Sequence, residues 1–488
     1  MPTTLRDGWE LVVGLEVHVE LNTNTKMWCG CATDFGGEPN TRVCPVCTGQ
    51  PGALPVVNGV AVESAARLGL ALNCSVVEDC RFHRKNYFYP DMPKNYQISQ
   101  YDVPLCSDGF LEVEVEGEEV RVGIERLHME EDTGKSMHMG DTGRLHGADR
   151  SLIDYNRAGI PLLEIVSHPD IRDPETAQAY LRELQGIVQT LGVSDARMEE
   201  GSIRCDANVS VRRPGEELGT RREIKNLNSI RSLGRAIAYE AEDQIATLED
   251  GGTIVMETRH WDEEAGVTST LRRKETVADY RYFPDPDLVE VHAAPEWVEA
   301  LRQTLPELPA ASRKRLADAG IPDAQATTIV GSGMIGWYDH AAASGADPRV
   351  VANWLAGEVT GQIAAAGLDP ASSGLTGAHV AELVTLIDEG RLSNKLAKDV
   401  LDGVIESRGA KLPSQVASER GLEQVSDEGE LRAIVDRVVA DNPDVVEKIK
   451  GGADKAIGAL VGQVMQATKG QANPGLANQL LRDAIDER

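Results

Sequence analysis

Two short cysteine pairs lie close together near the start of the chain, Cys29-Gly30-Cys31 and Cys44-Pro45-Val46-Cys47. Four thiolates spaced this way suit tetrahedral Zn²⁺. Four cysteine ligands leave no open coordination position, so such a site would be structural rather than catalytic. Unmetallated thiols and an iron–sulfur cluster are the competing readings. The remaining cysteines, Cys74, Cys80, Cys106 and Cys205, are scattered. They read as ordinary buried thiols.

A second group of chemistry-bearing residues follows a period of two. In Leu15-Glu16-Val17-His18-Val19-Glu20 the polar residues alternate with apolar ones. The same split recurs in Arg126-Leu127-His128-Met129-Glu130 and in Ile203-Arg204-Cys205-Asp206-Ala207-Asn208-Val209. Glu223 and Lys225 flank Ile224 in the same way. Successive strand residues point to opposite faces, so each segment predicts a strand with one apolar and one polar side. One such strand is commonplace on a solvated sheet face. Taken together the sets are short of Thr, Ser and Lys and rich in carboxylate, imidazole, amide and guanidinium groups. These are the groups that hold Mg²⁺ and phosphate. Carboxylates sharing a face repel one another unless a cation sits among them. Glu164 stands among apolar neighbours in Pro161-Leu162-Leu163-Glu164-Ile165-Val166. A carboxylate there must be ion-paired or metal-bound, and the two readings weigh about equally.

The familiar phosphate loops are not the carriers. Thr133-Gly134-Lys135-Ser136 resembles the end of a P-loop, but Met129 stands where the loop needs its first glycine. Gly331-Ser332-Gly333-Met334-Ile335-Gly336 fits GxGxxG by letters, yet its helical surroundings make it a turn between helices.

The elements that must position these groups fall into three parts. The chain has 488 residues, which points to several domains. Up to about Leu288 alternating segments and Gly/Pro turns dominate. From about Pro295 helical patterns take over, with Asp347 expected as an N-cap ahead of Pro348. Breaks are expected at Gly367–Gly374 and near Gly409–Pro413, and Lys469–Pro474 reads as a turn. The expected division is 1–294, 295–409 and 410–488. No stretch approaches the roughly 20 apolar residues of a membrane helix. The opening residues lack an apolar signal core, so the expected compartment is the cytoplasm. A net charge of −29 argues against a nucleic-acid partner unless a basic patch is local.

Longer motifs carry a resemblance. Val13-Gly14-Leu15-Glu16-Val17-His18, Phe82-His83-Arg84-Lys85-Asn86-Tyr87-Phe88-Tyr89-Pro90-Asp91 and Leu127-His128-Met129-Glu130-Glu131-Asp132 are three of them. Asp154-Tyr155-Asn156-Arg157-Ala158-Gly159, Glu223-Ile224-Lys225-Asn226-Leu227-Asn228-Ser229 and Asp279-Tyr280-Arg281-Tyr282-Phe283-Pro284 are others. In order, and over essentially the whole chain, the sequence resembles the B-subunit family of the aspartyl/glutamyl-tRNA amidotransferases. The resemblance implies an α+β fold: a glutamine-synthetase-like antiparallel-sheet cradle, then an all-α helical domain and a YqeY-like helical tail. It implies a carbon–nitrogen ligase with glutamine as amide donor. ATP phosphorylates the Glu or Asp side chain of a misacylated Glu-tRNA(Gln) or Asp-tRNA(Asn), and ammonia then displaces phosphate.

By matching motifs, catalytic roles fall on Glu16, His18, Lys85, Glu130, Glu131 and Glu164, with Mg²⁺ on Glu16, His18 and Glu131. ATP-binding roles fall on Arg204, Asp206, Asn208, Glu223, Lys225 and Asn226. Cys29, Cys31, Cys44 and Cys47 match a zinc loop found in part of the family. His83 departs from the family, many members of which carry Asp there. The implied partners are an amidase-type glutaminase (the A subunit), which supplies ammonia, a small third protein (the C subunit) completing a heterotrimer, and the misacylated tRNA. A non-catalytic tRNA-binding scaffold and a free-standing small-substrate ligase are the competing functions. The carboxylate-rich face speaks against the first and the long helical extension against the second.

Overall fold

The computed structural model describes residues 6, 8–139, 148–273, 277–422, 428–451, 453–468 and 472–487. The expected turn at Lys469–Pro474 lies partly outside these residues, as does most of the amino-terminal segment. The chain forms two compact units, Met1–Pro309 and Ala310–Arg488.

The first unit is built on a sheet of nine strands. In chain order they are β1 (Glu10–Glu20), β2 (Ser75–Val76), β3 (Cys106–Val115), β4 (Glu118–Glu131), β5 (Pro161–Ser167), β6 (Ile203–Arg212), β7 (Arg222–Leu227), β8 (Glu257–Asp262) and β9 (Val267–Arg273). Across the sheet they run β9-β8-β7-β6-β1-β5-β4-β3-β2. Neighbours are antiparallel except β7 and β8, which are parallel. The sheet is therefore mixed rather than wholly antiparallel. The cause is the helix joining β7 to β8, since a parallel pair needs a crossover connection.

Three helices cover the apolar face: α1 (Gly59–Ala71), α2 (Pro174–Thr190) and α3 (Ile230–Glu249). Each opens on a side-chain cap. Asn58, Asp173 and Ser229 accept bonds from the first free backbone N–H groups of their helices. Val13, Leu15, Val17, Cys205, Ala207 and Ile224 from the strands join Ala66, Leu181 and Ile237 from the helices in one buried cluster. The second unit contains two further clusters, one spanning Leu316 to Ala417 and one spanning Leu431 to Ile485. The expected cap is present: Asp347 accepts from Arg349 N and Val350 N ahead of Pro348. The glycine-rich Gly331–Gly336 joins helix Asp323–Gly331 to helix Ile335–Ala343, as its helical setting implies. The Gly367–Gly374 break holds one short capped helix, Pro370–Ser373. Among the described residues, no helix is long and apolar enough to cross a membrane.

A buried charge network clamps α3 to the β7–β8 edge. Glu240 is fully buried and accepts from Arg222 at 3.1 Å and from Thr268 at 2.8 Å, and Arg259 stands 3.2 Å away. Paired in this way, the carboxylate avoids the cost of an isolated buried charge.

Candidate active site

The face of the sheet opposite the helices carries the polar alternates, and strand register arranges them in rows. His18 of β1 lies between Arg204 of β6 and Glu164 of β5, and Glu164 in turn faces His128 of β4. Glu16 faces Asp206, and Asn208 faces Glu223. His18 Nε2 is 3.3 Å from Glu164 and 3.9 Å from Glu16. His128 Nε2 is 3.3 Å from Glu130 and 3.7 Å from Glu164. Lys225 Nζ lies 2.5 Å from Asp206 and 3.6 Å from Glu223, whose carboxylate also accepts from Thr258 at 2.8 Å.

Over this face stands a three-stranded sheet of His83–Asn86, Tyr96–Ser99 and Phe283–Pro284. It brings Lys85 to 3.8 Å from Glu130 and within 5.4 Å of the Tyr280 ring. Gln97 and Ser99 from the same small sheet donate to Glu130 at 3.0 and 2.6 Å. The space enclosed is a cavity of about 1160 Å³, lined by Glu16, His18, Lys85, Glu130, Glu164, Arg204, Asp206, Glu223, Lys225 and Asn226 among others. That volume exceeds a typical small-ligand pocket, which holds about 300–1,000 Å³.

The charges perturb one another strongly. Glu164 raises the pKa of Glu16, and burial adds to the rise. Burial alone would lower the pKa of His18, but the hydrogen bond and charge of Glu164, aided by Glu16 and Asp206, lift it to about 9. Burial opposes ionisation of Glu130, yet Lys85 and His128 hold it down at about 2. Burial also works against charge on Lys225, but Asp206, Glu223 and Glu16 raise its pKa above the usual lysine range. At the cavity's edge, burial and then Asp132 push Glu20 up to about 8, while Arg204 and Arg157 hold Asp132 ionised.

Potential ligand atoms of Glu16, His18 and Asp206 lie within 4.8 Å of one another, and so do those of His18, Glu130 and Glu164. Carboxylate oxygens with one imidazole suit a hard divalent cation such as Mg²⁺. Such an ion would relieve the repulsion that raises Glu16. Asn208 Oδ1 and His128 Nδ1 are buried without a hydrogen-bond partner, so polar capacity around these rows is not filled.

Not every expected residue joins the cavity. Glu131 follows Glu130 on β4, and strand alternation turns its side chain to the other side. Its carboxylate accepts from Ile98 N at 2.9 Å and pairs with Lys94, with both side chains buried. It does not line the cavity, and neither does Asn208. Conversely, the lining includes residues to which the motifs assigned no role: His128, Asp132, Gln97, Tyr87, Tyr280 and Tyr282. His128 shares the alternation of Arg126 and Glu130 and was within reach of that signal. Gln97 and Tyr282 arrive from separate segments, and no period-two alternation assigns them to the cavity.

The sulfurs of Cys29, Cys31, Cys44 and Cys47 all lie within 4.8 Å of one another. They gather in a loop after β1 that is held by a bridge between Thr25 and Ala32. The Cys44 N–H lies 3.1 Å from Cys47 Sγ. The Cys29 thiol, as donor, brings Cys47 down to about 5, while burial carries Cys31 up to about 11. Four sulfurs gathered this closely have the donor chemistry for zinc. Cys74, Cys80, Cys106 and Cys205 are buried free thiols, as expected.

Comparison with known proteins adds independent observations. Residues 11–299 match the GatB/GatE catalytic domain, and residues 337–485 match the GatB domain. The chain is 54% identical over 483 residues to the B subunit of the aspartyl/glutamyl-tRNA(Asn/Gln) amidotransferase of Salinispora tropica, covering 98% of this chain and 96% of that protein. It is 54% identical over 490 residues to the protein of the same name from Thermobifida fusca, covering 98% and 94%. A third so named, from Carboxydothermus hydrogenoformans, is 51% identical over 481 residues, covering 98% and 99%.

Proposed function

The chain belongs to the B-subunit family of the aspartyl/glutamyl-tRNA(Asn/Gln) amidotransferases, and from that premise we propose that its cavity activates the side-chain carboxylate of Glu or Asp carried on a misacylated tRNA. The protein is the B subunit of a glutamine-dependent carbon–nitrogen ligase complex. A carboxylate is a poor acyl donor until one oxygen becomes part of a leaving group. The γ-phosphoryl group of ATP, transferred to that oxygen, supplies it. Ammonia then attacks the carbonyl carbon, inorganic phosphate leaves, and the nitrogen loses a proton to give the amide of Gln-tRNA(Gln) or Asn-tRNA(Asn).

Within this reading, Glu16, His18 and Asp206, backed by Glu164 and Glu130, would hold Mg²⁺. When bound, the ion offsets and aligns the charged phosphate oxygens. Lys85, Lys225 and Arg204 supply positive charge to the phosphoryl group in transfer. Glu223 and Asp206 hold Lys225 in place, and Glu130 does the same for Lys85. Asn226 offers an amide at the cavity wall. The tyrosines over the cavity exclude water, which would hydrolyse an activated carboxyl group. The Cys29, Cys31, Cys44 and Cys47 site takes structural zinc.

The remaining assignments belong to the same proposal. An amidase-type glutaminase, the A subunit, generates ammonia from glutamine, and a small C subunit completes a heterotrimer. The cradle is glutamine-synthetase-like, and the domains are 1–294, 295–409 and a YqeY-like 410–488. The helical parts grip the tRNA body. The compartment is the cytoplasm.

One observation carries the reading: the row Arg204–His18–Glu164–His128 across four adjacent strands, facing Lys85. A scaffold that only bound tRNA would have no need of this charge cluster, whose assembly is costly. The test is misacylated-tRNA-dependent ATP hydrolysis by the assembled complex. Glu16→Gln should lower it by on the order of 10²–10³-fold while tRNA binding persists. Undiminished turnover in that variant would remove the site assignment.

A further inference from the structure

The loop between the two cysteine pairs is stitched to the segment 153–156. Asn40, in a left-handed backbone conformation with φ 60°, donates its N–H to Asp154 Oδ1 at 2.9 Å. Its side chain donates to Ile153 O at 3.0 Å and accepts from Tyr155 N at 2.8 Å. Asn156 completes the seam, accepting from Arg42 N at 2.8 Å and donating to Glu38 O at 2.7 Å. Beneath the cysteines lies Lys26, only 1% exposed, with Nζ 3.9 Å from Cys47 Sγ and donating to Tyr155 O at 3.1 Å. Every bond in this seam ties the knuckle to the segment 153–156.

The next residue of that segment is Arg157. Its guanidinium donates to Thr133 O and Gly134 O, each at 3.0 Å, and stands 3.6 Å from Asp132. Gly159 N donates to Asp132 O at 2.9 Å, and Asp132 N donates to Ile160 O at 2.9 Å. Asp132 in turn accepts from Arg204 at 2.8 Å, and Asp132, Thr133 and Arg204 all line the cavity.

We propose that the cysteine knuckle is a positioning element for the reaction. Closed on its metal, it fixes residues 38–42, which through Asn156 fix Arg157 and so the Asp132–Arg204 wall. The physical reason lies in the loop. Outside the Thr25–Ala32 bridge, residues 29–47 form no strand or helix. Cross-linking by the thiolates removes freedom that the hydrogen-bonded seam alone leaves, and a loop opened at the cysteines regains it. Asn156 and Arg157 act through Asp132 and Arg204, so they are positioning residues. The inference rests on the cavity being the reaction site.

The test uses the full chain in its assembled complex. Asn156→Ala cuts the seam without touching a cysteine. It should keep its zinc by mass spectrometry, yet lose about tenfold in turnover or in KM for misacylated tRNA. Amides 131–134 and 157–160 should exchange hydrogen faster than in the wild type. Cys44→Ser should lose the zinc and show a loss of similar size. The double variant should be no worse than Cys44→Ser alone, because both act along one path. If Cys44→Ser fails to assemble, chelation of the wild type followed by zinc re-addition provides the metal-free arm. Additive losses, or wild-type kinetics and exchange in Asn156→Ala, would overturn the coupling. A wild-type complex without tRNA-dependent ATP hydrolysis would instead defeat the proposed function, and the exchange measurement would still decide the coupling.

Discussion

The cysteine knuckle and the charged cavity are both polar clusters beside the same sheet, but they are assembled in opposite ways. The knuckle draws its groups from one short segment, Cys29 to Cys47, and its chemistry is complete in the spacing of two pairs. The cavity draws Glu16, Glu130, Glu164, Asp206 and Lys225 from five different strands. Its groups meet only because β1 pairs with β5 and β6 in one register. A slip of one residue in that register would turn every polar alternate toward the helices. The knuckle's groups sit in a loop with no strand or helix of its own beyond the Thr25–Ala32 bridge. The cavity is held by the apolar face of the sheet packed against α1, α2 and α3.

Four perturbations sharpen the contrast. The largest effect should follow Glu164→Gln, because Glu164 stands between His18 and His128 and is held well below the usual carboxylate range by their charges. Misacylated-tRNA-dependent ATP hydrolysis should fall by on the order of 10³-fold, and a loss under tenfold would show that the row is not the working part of the cavity. Glu131→Gln should act on stability first, since it strands a buried Lys94. Breaking such a pair costs about 3–5 kcal/mol, to be read from denaturant unfolding, and an unchanged midpoint would place the pair in solvent contact. Cys47→Ser should cost the bound zinc, with mass spectrometry falling from about one equivalent to well under one, while the sheet keeps its circular dichroism. Zinc retained in full would break the four-ligand reading.

The smallest effect concerns pH. Glu20 has its pKa raised from 4.5 to about 8 by burial and by Asp132. The folded state therefore favours the protonated acid. That contribution is complete below 4.5 and is lost as pH rises toward 8. The melting temperature of the wild type should decline over this window more than that of Glu20→Gln. Parallel pH profiles would mean that Glu20 is ionised throughout.

Much of the site was legible because period-two alternation is a local property. The polar sides of β1, β4 and β6 follow from Glu16-Val17-His18, His128-Met129-Glu130 and Arg204-Cys205-Asp206, whatever those strands pair with. The same rule marks the limit of the motif reading at Glu131. A family motif places it beside Glu130, but alternation turns it to Lys94 on the other side. The expected antiparallel pairing holds except between β7 and β8 for a comparable reason: whether β8 pairs with β7 depends on how α3 crosses over, and neither strand's residues encode that. Gln97 reaches the cavity through the small sheet over it and Tyr282 from the residue just before that sheet's Phe283–Pro284 strand, placements visible only in three dimensions.

The sequence by itself determined which faces are apolar, where helix Pro348–Trp354 begins, and which thiols gather, because these follow from the spacing of neighbours along the chain. Tertiary structure decided which strands adjoin, and hence that His18 meets Glu164, that Lys85 faces Glu130 and that Asn156 binds the loop between the cysteine pairs. The physical reason is range. Backbone alternation and capping act over a few residues, whereas pairings separated by tens to more than a hundred positions are fixed only when the whole apolar face is buried at once.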